Sequence, residues 1–234
     1  MGRHTPGRSR HGANVPTLVI MAKPPRLGLA KRRLAAALGQ TAALRFYRAC
    51  LMHTILRLGG TPRWRTIVAV TPDADVYAPV WRGVSRGFGA GLMQQGNGDL
   101  GARMQRIFNR LAPVPTVIVG GDIPALSHAD IADAFAKLRG ADAVLGPAID
   151  GGYWVIGLRG NARRMAPFTD VRWSTPHAFA DTVANLDGRR VALAATRADI
   201  DSVESFRAQR GRAERLVHHT VHGRCNPSWH LIET

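Results

Sequence analysis

The sequence predicts an α/β fold built on a mainly parallel β-sheet, and three observations carry that prediction. Continuous apolar runs such as Thr17–Ala22 (TLVIMA) and Thr66–Val70 (TIVAV) have the length of strands buried on both faces. Between such runs lie segments whose apolar residues recur every three or four positions, as on one face of a helix. The two kinds of segment alternate along the chain, the order that right-handed crossovers and a parallel sheet require. With 234 residues, 45 % of them apolar, the chain suits one large domain or two small ones. We place a basic tail at 1–16, expected to be disordered, one α/β domain at 17–210, and a second basic tail at 211–234.

The elements follow in order. After the first strand, Lys23-Pro24-Pro25-Arg26-Leu27-Gly28 forms a loop, because proline cannot donate to a sheet ladder. A helix is expected from Leu29 to Leu38, stopped by Gly39. Thr41 is positioned to cap a second helix whose apolar face is Leu44, Tyr47, Leu51, Ile55 and Leu58, ended by Gly59-Gly60. The strand 66–70 is followed by an irregular stretch, 73–86, and then by a short strand within 87–95. Gly96-Asn97-Gly98-Asp99 is a turn before a helix facing inward with Leu100, Met104, Ile107 and Leu111. Thr116–Val119 is a strand that stops at Gly120-Gly121-Asp122-Ile123-Pro124. Ser127 and Asp130 form a capping box for a helix with Ile131, Phe135 and Leu138 inward. Strands Ala141–Leu145 and Tyr153–Leu158 flank a turn at Asp150-Gly151-Gly152. Thr175 and Pro176 read as cap and first residue of a helix. Val191–Ala194 is a late strand, and Asp201 with Glu204 opens a final helix.

The charge is unusual: Lys plus Arg number 32 against 16 Asp plus Glu, a formal net charge of +16. That balance favours anionic partners in general. Nucleic acid is disfavoured, because the arginines are scattered and no zinc-finger spacing, recognition helix or aromatic stacking platform accompanies them. Two cysteines, Cys50 and Cys225, stand far apart and offer no thiolate metal site. No run is long enough to span a bilayer, and the first residues lack the apolar segment of a secretory signal. A cytoplasmic protein is the default expectation.

In a parallel sheet, ligands bind at the carboxyl ends of the strands. The polar clusters at 23–33, 96–103, 120–124 and around 150 should therefore gather at one edge. The loop from Lys23 to Arg33 joins a strand to a helix start, where free N–H groups attract anions. Gly28 would allow close approach, and Lys23, Lys31, Arg32 and Arg33 supply charge; a solvated basic loop is the plain alternative. Asp122, at a strand's carboxyl end behind two glycines, suits a Mg²⁺ or Mn²⁺ that also touches phosphates, or else an ordinary turn. Asp150 fits either a functional carboxylate or a hairpin turn. Asp199 and Asp201 could share a cation, although Asp201 also fits a helix cap. Asp99 and Arg103, four apart at a helix start, fit an ordinary ion pair.

In order along the chain stand K-x-P-x-x-G-x-x-K-x-R-L (Lys23 to Leu34), G-D-L-G-x-R-M (Gly98 to Met104), G-D-x-P (Gly121 to Pro124), D-G-G-Y (Asp150 to Tyr153), W-S-T-P (Trp173 to Pro176) and D-x-D-S (Asp199 to Ser202). This series resembles the rSAM/selenodomain-associated transferase 1 family, a branch of the nucleotide-diphospho-sugar transferases, over residues 17 to 207. It is also similar to the guanylyltransferases that activate phospholactate. The resemblance implies a three-layer, Rossmann-like GT-A fold. It implies a transferase acting on a nucleotide or nucleotide-sugar and a small-molecule acceptor, by glycosyl or nucleotidyl transfer, with Mg²⁺ or Mn²⁺. It implies a nucleotide site lined by Lys23, Gly28, Lys31 and Arg33, to which the second motif adds Asp99 and Arg103. Asp122 and Asp201 would hold the metal, and Asp122 and Asp150 would serve catalysis. Two positions depart from the family pattern, Arg32 where threonine is usual and Gly121 where serine is frequent, and they keep a non-catalytic nucleotide-binding protein as an alternative reading.

Overall fold

In the computed structural model, described for residues 15–28, 32–84, 89–123, 126–160 and 165–197, the predicted alternation is realised as one sheet between two layers of helices. In chain order the elements are β1 (Thr17–Ala22), α1 (Arg32–Leu38), α2 (Gln40–Leu58), β2 (Arg65–Val70), β3 (Gly91–Gln94), α3 (Leu100–Leu111), β4 (Thr116–Gly120), α4 (His128–Leu138), β5 (Ala143–Pro147), β6 (Tyr153–Leu158), α5 (Ala178–Ala184) and β7 (Val191–Leu193). The irregular stretch after β2 holds two 3₁₀ turns, Asp73–Tyr77 and Pro79–Trp81.

The seven strands lie in the order β3-β2-β1-β4-β6-β5-β7. β1 pairs in parallel with β2 on one side and β4 on the other, so that Val19 stands level with Ile67 and Ile118. Among the described strands only β6 runs against the rest, antiparallel to both β4 and β5. It returns from β5 through the tight turn at Asp150, the hairpin that the Asp-Gly pair predicts. Because β1 to β5 all point one way, their carboxyl ends share an edge, and the polar clusters after β1, β3, β4 and β5 gather there.

Side chains alternate across the sheet, and each face has its own helices. Leu18, Ile20 and Val68 pack with Leu51, Ile55 and Leu58 of α2 and with Ile131, Ala134 and Leu138 of α4. On the opposite face, Val19, Ile67, Ala69 and Ile118 pack with Met104, Ile107 and Phe108 of α3. Each fully buried aliphatic side chain of this kind contributes about 1.5–3 kcal/mol relative to exposure. The sheet is therefore a stiff platform for the loops at its edge.

Three local expectations are corrected. α2 starts one residue before Thr41, after Gly39, and no side chain caps it. Thr41 lies in its first turn. Leu100 is 37 % exposed rather than buried, and Phe108 takes the inward place instead. α5 starts at Ala178, not at Pro176. The Thr175 hydroxyl accepts from the His177 N–H at 3.2 Å, so the W-S-T-P segment forms a turn ahead of the helix. The capping box at Ser127 and Asp130 forms as expected. The tails at 1–14 and 211–234, and the helix expected from Asp201, lie outside the described residues.

Candidate active site

The first loop is held from below by a tyrosine. The Tyr47 hydroxyl of α2 receives the Lys23 N–H at 3.0 Å and donates to the Lys23 carbonyl at 3.0 Å. One phenol thus satisfies both main-chain groups of a residue that has just left the sheet ladder. Further along, Arg26 pairs with Asp75 at 2.8 Å, tying this loop to the 3₁₀ turn after β2. Gly28 ends the described part of the loop in a left-handed conformation, φ 78°. Lys31 and the side chain of Arg33 lie outside the described residues.

The turn after β4 is pressed against β1. The Gly121 N–H donates to the Met21 carbonyl at 3.1 Å. A β-carbon on Gly121 would come within 2.6 Å of Leu51 Cδ1 and 3.2 Å of the Met21 carbonyl oxygen. Glycine here, where relatives by the motif resemblance often have serine, is what lets the turn sit this close. Asp122 follows directly, half-buried, with Oδ1 back over Gly120 at 2.8 Å from where a β-carbon would stand. A strand-end carboxylate is a hard oxygen donor of the kind Mg²⁺ and Mn²⁺ prefer, and such ions often take only one or two carboxylates besides phosphate oxygens. Among the described residues no three His, Cys, Asp or Glu side chains converge as a metal cage. Asp199 and Asp201 lie outside them.

At the start of α3 the geometry differs from a simple ion pair. The Asp99 carboxylate accepts from the Ala102 N–H at 2.7 Å as the helix cap. Arg103 reaches the Asp99 main chain instead, Nε donating to its carbonyl oxygen at 3.1 Å, while Nη1 donates to Gln95 Oε1 at 3.1 Å. Asp99 therefore shapes the site through the helix, and Arg103 is one of the cationic side chains that α3 brings to the edge, with Arg106 donating to the Gln95 carbonyl at 2.8 Å.

After β5, Asp150 is exposed and its carboxylate accepts the Gly152 N–H at 3.0 Å, an Asx turn. Gly151 has φ 85°, and a β-carbon there would lie 2.4 Å from Pro176 Cα. Its carbonyl accepts from the Phe179 N–H at 3.0 Å. The W-S-T-P loop is thus seated directly on the Asp150 turn. Its other end is seated on α3, where Trp173 Cζ2 lies 2.8 Å from a β-carbon built on Gly101. Trp173 also meets Tyr153 edge-on at 6.3 Å between ring centres. Ser174, exposed, takes φ 61°, rare for a residue with a side chain. Three of the six motifs are therefore one packed unit.

Charges nearby are set by local pairing. The Arg172 guanidinium bonds both oxygens of Asp181 and lowers that carboxyl to about 2. Burial pushes the Asp130 carboxyl up, but bonds from Arg197 and Ser127 outweigh it and hold it below its ordinary value. Burial pushes the Tyr153 phenol up, so it stays neutral.

A family model described as "uncharacterized protein conserved in bacteria (DUF2064)" matches residues 54–175, just over half of the chain. The chain belongs to the DUF2064 family. The match takes in the second to fourth motifs and the fifth as far as Thr175, so the α3 start, the Asp122 turn, the Asp150 turn and all of the W-S-T-P loop but Pro176 fall within the DUF2064 region. No curated protein matches the sequence. Among solved structures, a Desulfovibrio desulfuricans G20 protein provisionally named a nucleotide-diphospho-sugar transferase superposes with a TM-score of 0.73 at 23 % identity, covering 88 % of this chain and 98 % of that one. A nucleotidyl transferase from Methanothermobacter gives 0.58 at 15 % identity, over 86 % and 99 %. The 4-diphosphocytidyl-2C-methyl-D-erythritol synthase of Anaerococcus prevotii DSM 20548 gives 0.55 at 10 %, over 87 % and 100 %. The fold of this DUF2064 protein is thus that of nucleotidyl and sugar transferases. No helix among the described residues is long and apolar enough to cross a membrane.

Sequence reasoning missed Tyr47, Gln95, Arg26 with Asp75, and the seating glycines Gly101 and Gly151. Tyr47 reads as one more apolar position on its helix face, and Gln95 as a polar residue near a turn. Only the odd choice of glycine inside a helix start, at Gly101, hints at a close approach in the sequence itself.

Proposed function

We propose that this protein is a metal-dependent transferase acting on a nucleotide-activated donor, with glycosyl transfer from a nucleotide-diphospho-sugar as the leading reading. The observation that carries it is the convergence of the β1 loop, Arg103, Asp122 and the Asp150 turn at the carboxyl edge of one sheet. The resemblance of the six motifs to the rSAM/selenodomain-associated transferases supports it, as does the name of the Desulfovibrio relative.

In this reading the backbone of the Lys23–Gly28 loop, with Lys23, Lys31 and Arg33, receives the donor's phosphates, and Arg103 adds a second cationic contact. Asp122 would hold Mg²⁺ or Mn²⁺, with Asp201 assisting; when bound, the ion neutralises charge that builds on the departing diphosphate. The fixed donors of the loop and Arg103 stabilise the same charge without having to reorganise. Asp150, exposed on a turn held by Gly151 and Pro176, accepts the hydrogen bond of an acceptor hydroxyl and takes its proton. The new bond forms from that oxygen to the sugar carbon, and the bond from that carbon to the diphosphate breaks.

The second reading is nucleotidyl transfer, in which an acceptor phosphate attacks the α-phosphorus of a nucleoside triphosphate and pyrophosphate leaves. It is supported by two of the superposed structures, one named a nucleotidyl transferase and the other a 4-diphosphocytidyl-2C-methyl-D-erythritol synthase.

Thermal unfolding with each common nucleoside triphosphate and nucleotide-sugar, with and without Mg²⁺ or Mn²⁺, tests the shared premise. At a hundredfold excess over Kd a native-state ligand adds about 2.7 kcal/mol. For a chain of this size that raises Tm by roughly 5–10 °C. A metal-dependent rise with nucleotide-sugars supports glycosyl transfer, and one confined to triphosphates supports nucleotidyl transfer. No rise with any of them contradicts both.

A further inference from the structure

Gln95 follows β3 directly and is only 1 % exposed. A buried primary amide is costly unless its donors and acceptor are all used. Here they are. Nε2 donates to the Ala69 carbonyl of β2 at 2.7 Å and to the Ala22 carbonyl of β1 at 3.3 Å. Oε1 accepts from Arg103 Nη1 at 3.1 Å. The main chain is equally committed: the Gln95 N–H donates to the Val70 carbonyl at 3.1 Å, and its carbonyl accepts from Arg106 Nη1 at 2.8 Å.

This arrangement has only one workable orientation. Turning the amide over would set Oε1 against two carbonyl oxygens and point the NH₂ group at a guanidinium. The ends of β1 and β2 thereby dictate that an acceptor oxygen faces α3, and Arg103 meets it. With Nε bonded to the Asp99 carbonyl and Nη1 to Gln95, two of the three guanidinium nitrogens are fixed. Among the described residues the third, Nη2, makes no hydrogen bond. A planar guanidinium held at Nε and Nη1 has its plane fixed and leaves Nη2 between them as a donor suited to a phosphate.

We propose that Gln95 is a positioning residue: it aligns Arg103 so that the Nη2 edge meets an anionic phosphate of the nucleotide. The proposal rests on the nucleotide reading above. It gives a reason for burying a polar residue beneath the site. It also assigns the β3 terminus a function that the α3 motif alone does not reveal.

A double-mutant cycle tests it, with the full chain and with GTP, CTP, UTP, ATP, UDP-glucose and GDP-mannose as probes, each with Mg²⁺, in calorimetric titrations. For the tightest of these, Arg103→Ala should weaken binding about tenfold, as expected for one charge-assisted hydrogen bond. Gln95→Met should weaken it about fivefold when Arg103 is present, and by less than about twofold in the Arg103→Ala background, because independent sites would add. Thermal unfolding of each variant is measured alongside. If Gln95→Met does not fold, Gln95→Asn, which keeps the amide one methylene short, takes its place in the cycle. Equal losses in both backgrounds, or no loss from Arg103→Ala, overturn the role of Gln95. If the wild-type chain binds none of the six probes, the nucleotide reading itself falls and this proposal with it.

Discussion

The carboxyl edge of the sheet is built in two ways. After β1 and β3, loops are fixed by polar bonds to side chains that come up from beneath. Tyr47 holds both main-chain groups of Lys23, and Gln95 ties the ends of β1 and β2 to Arg103. On the β5–β6 side, loops are fixed by contact. Gly151 admits Pro176, and Gly101 admits Trp173, at distances that no β-carbon could share. The first construction aims donors and charges, and suits a ligand whose shape and charge do not vary. The second leaves the Asp150 and Ser174 side chains exposed on a rigid support. That division matches a donor site beside an acceptor site in the proposed reaction.

The comparison can be broken most forcefully at Gly151. Gly151→Ala puts a methyl group against the Pro176 backbone at a residue with φ 85°. Overpacking and a left-handed backbone together should cost about 3 kcal/mol, seen as a lower urea midpoint. Nucleotide affinity should fall less than stability, because Tyr47 holds the Lys23 loop independently of the Asp150 turn. Loss of nucleotide affinity equal to the loss of stability would mean the two sides are one unit.

Next in size is Tyr47→Phe, which strips one hydroxyl from beneath Lys23. It should cost about 1–2 kcal/mol of stability, since two main-chain groups lose their partner, and should weaken nucleotide binding as well. The conservative change that leaves binding untouched would show that the Lys23 loop is aimed by something other than Tyr47.

The smallest effect is the acid response. Asp130 and Asp181 both have carboxyls held below the ordinary 3.8, the latter to about 2. Folded-state values below the unfolded ones stabilise the protein above pH 4, and that contribution is lost as pH falls from about 4 toward 2. Arg172→Ala should flatten this part of the stability profile only slightly, because the Arg172 guanidinium is exposed and screened and the Arg172 N–H still bonds Asp181. A large change would place more stability in the W-S-T-P region than its surface pairing allows.

Much of this architecture is legible in the sequence, and the exceptions share a cause. Apolar runs and helical spacing are local signals, so β1, β2, β4, the hairpin and the capping box at Ser127 can be read directly. The motif order correctly implies a sugar- and nucleotidyl-transferase fold. What escapes is whatever depends on residues distant in the chain. Pro176 reads as the first residue of a helix, but it is the surface against which Gly151 packs, and α5 begins later. Gly121 reads as a departure from a serine pattern, whereas in the fold it is a position crowded by Leu51 and the Met21 carbonyl. Asp99 and Arg103 read as an ion pair, yet the carboxylate is spent on a helix cap. Tyr47 lies 24 residues from the loop it holds and Gln95 reaches 73 residues back to Ala22, separations over which sequence spacing carries no signal.

The central claim is that Asp122 couples a divalent cation to a nucleotide bound at the carboxyl edge. The most direct measurement is a calorimetric titration of the tightest-binding nucleotide, with and without Mn²⁺, in the wild-type chain and in Asp122→Ala. The account predicts that Mn²⁺ tightens wild-type binding about tenfold, within the usual range for coupling between two ligands. Asp122→Ala should lose that increment while keeping the metal-free affinity supplied by the Lys23 loop and Arg103. The same Mn²⁺ increment in both proteins would contradict the account.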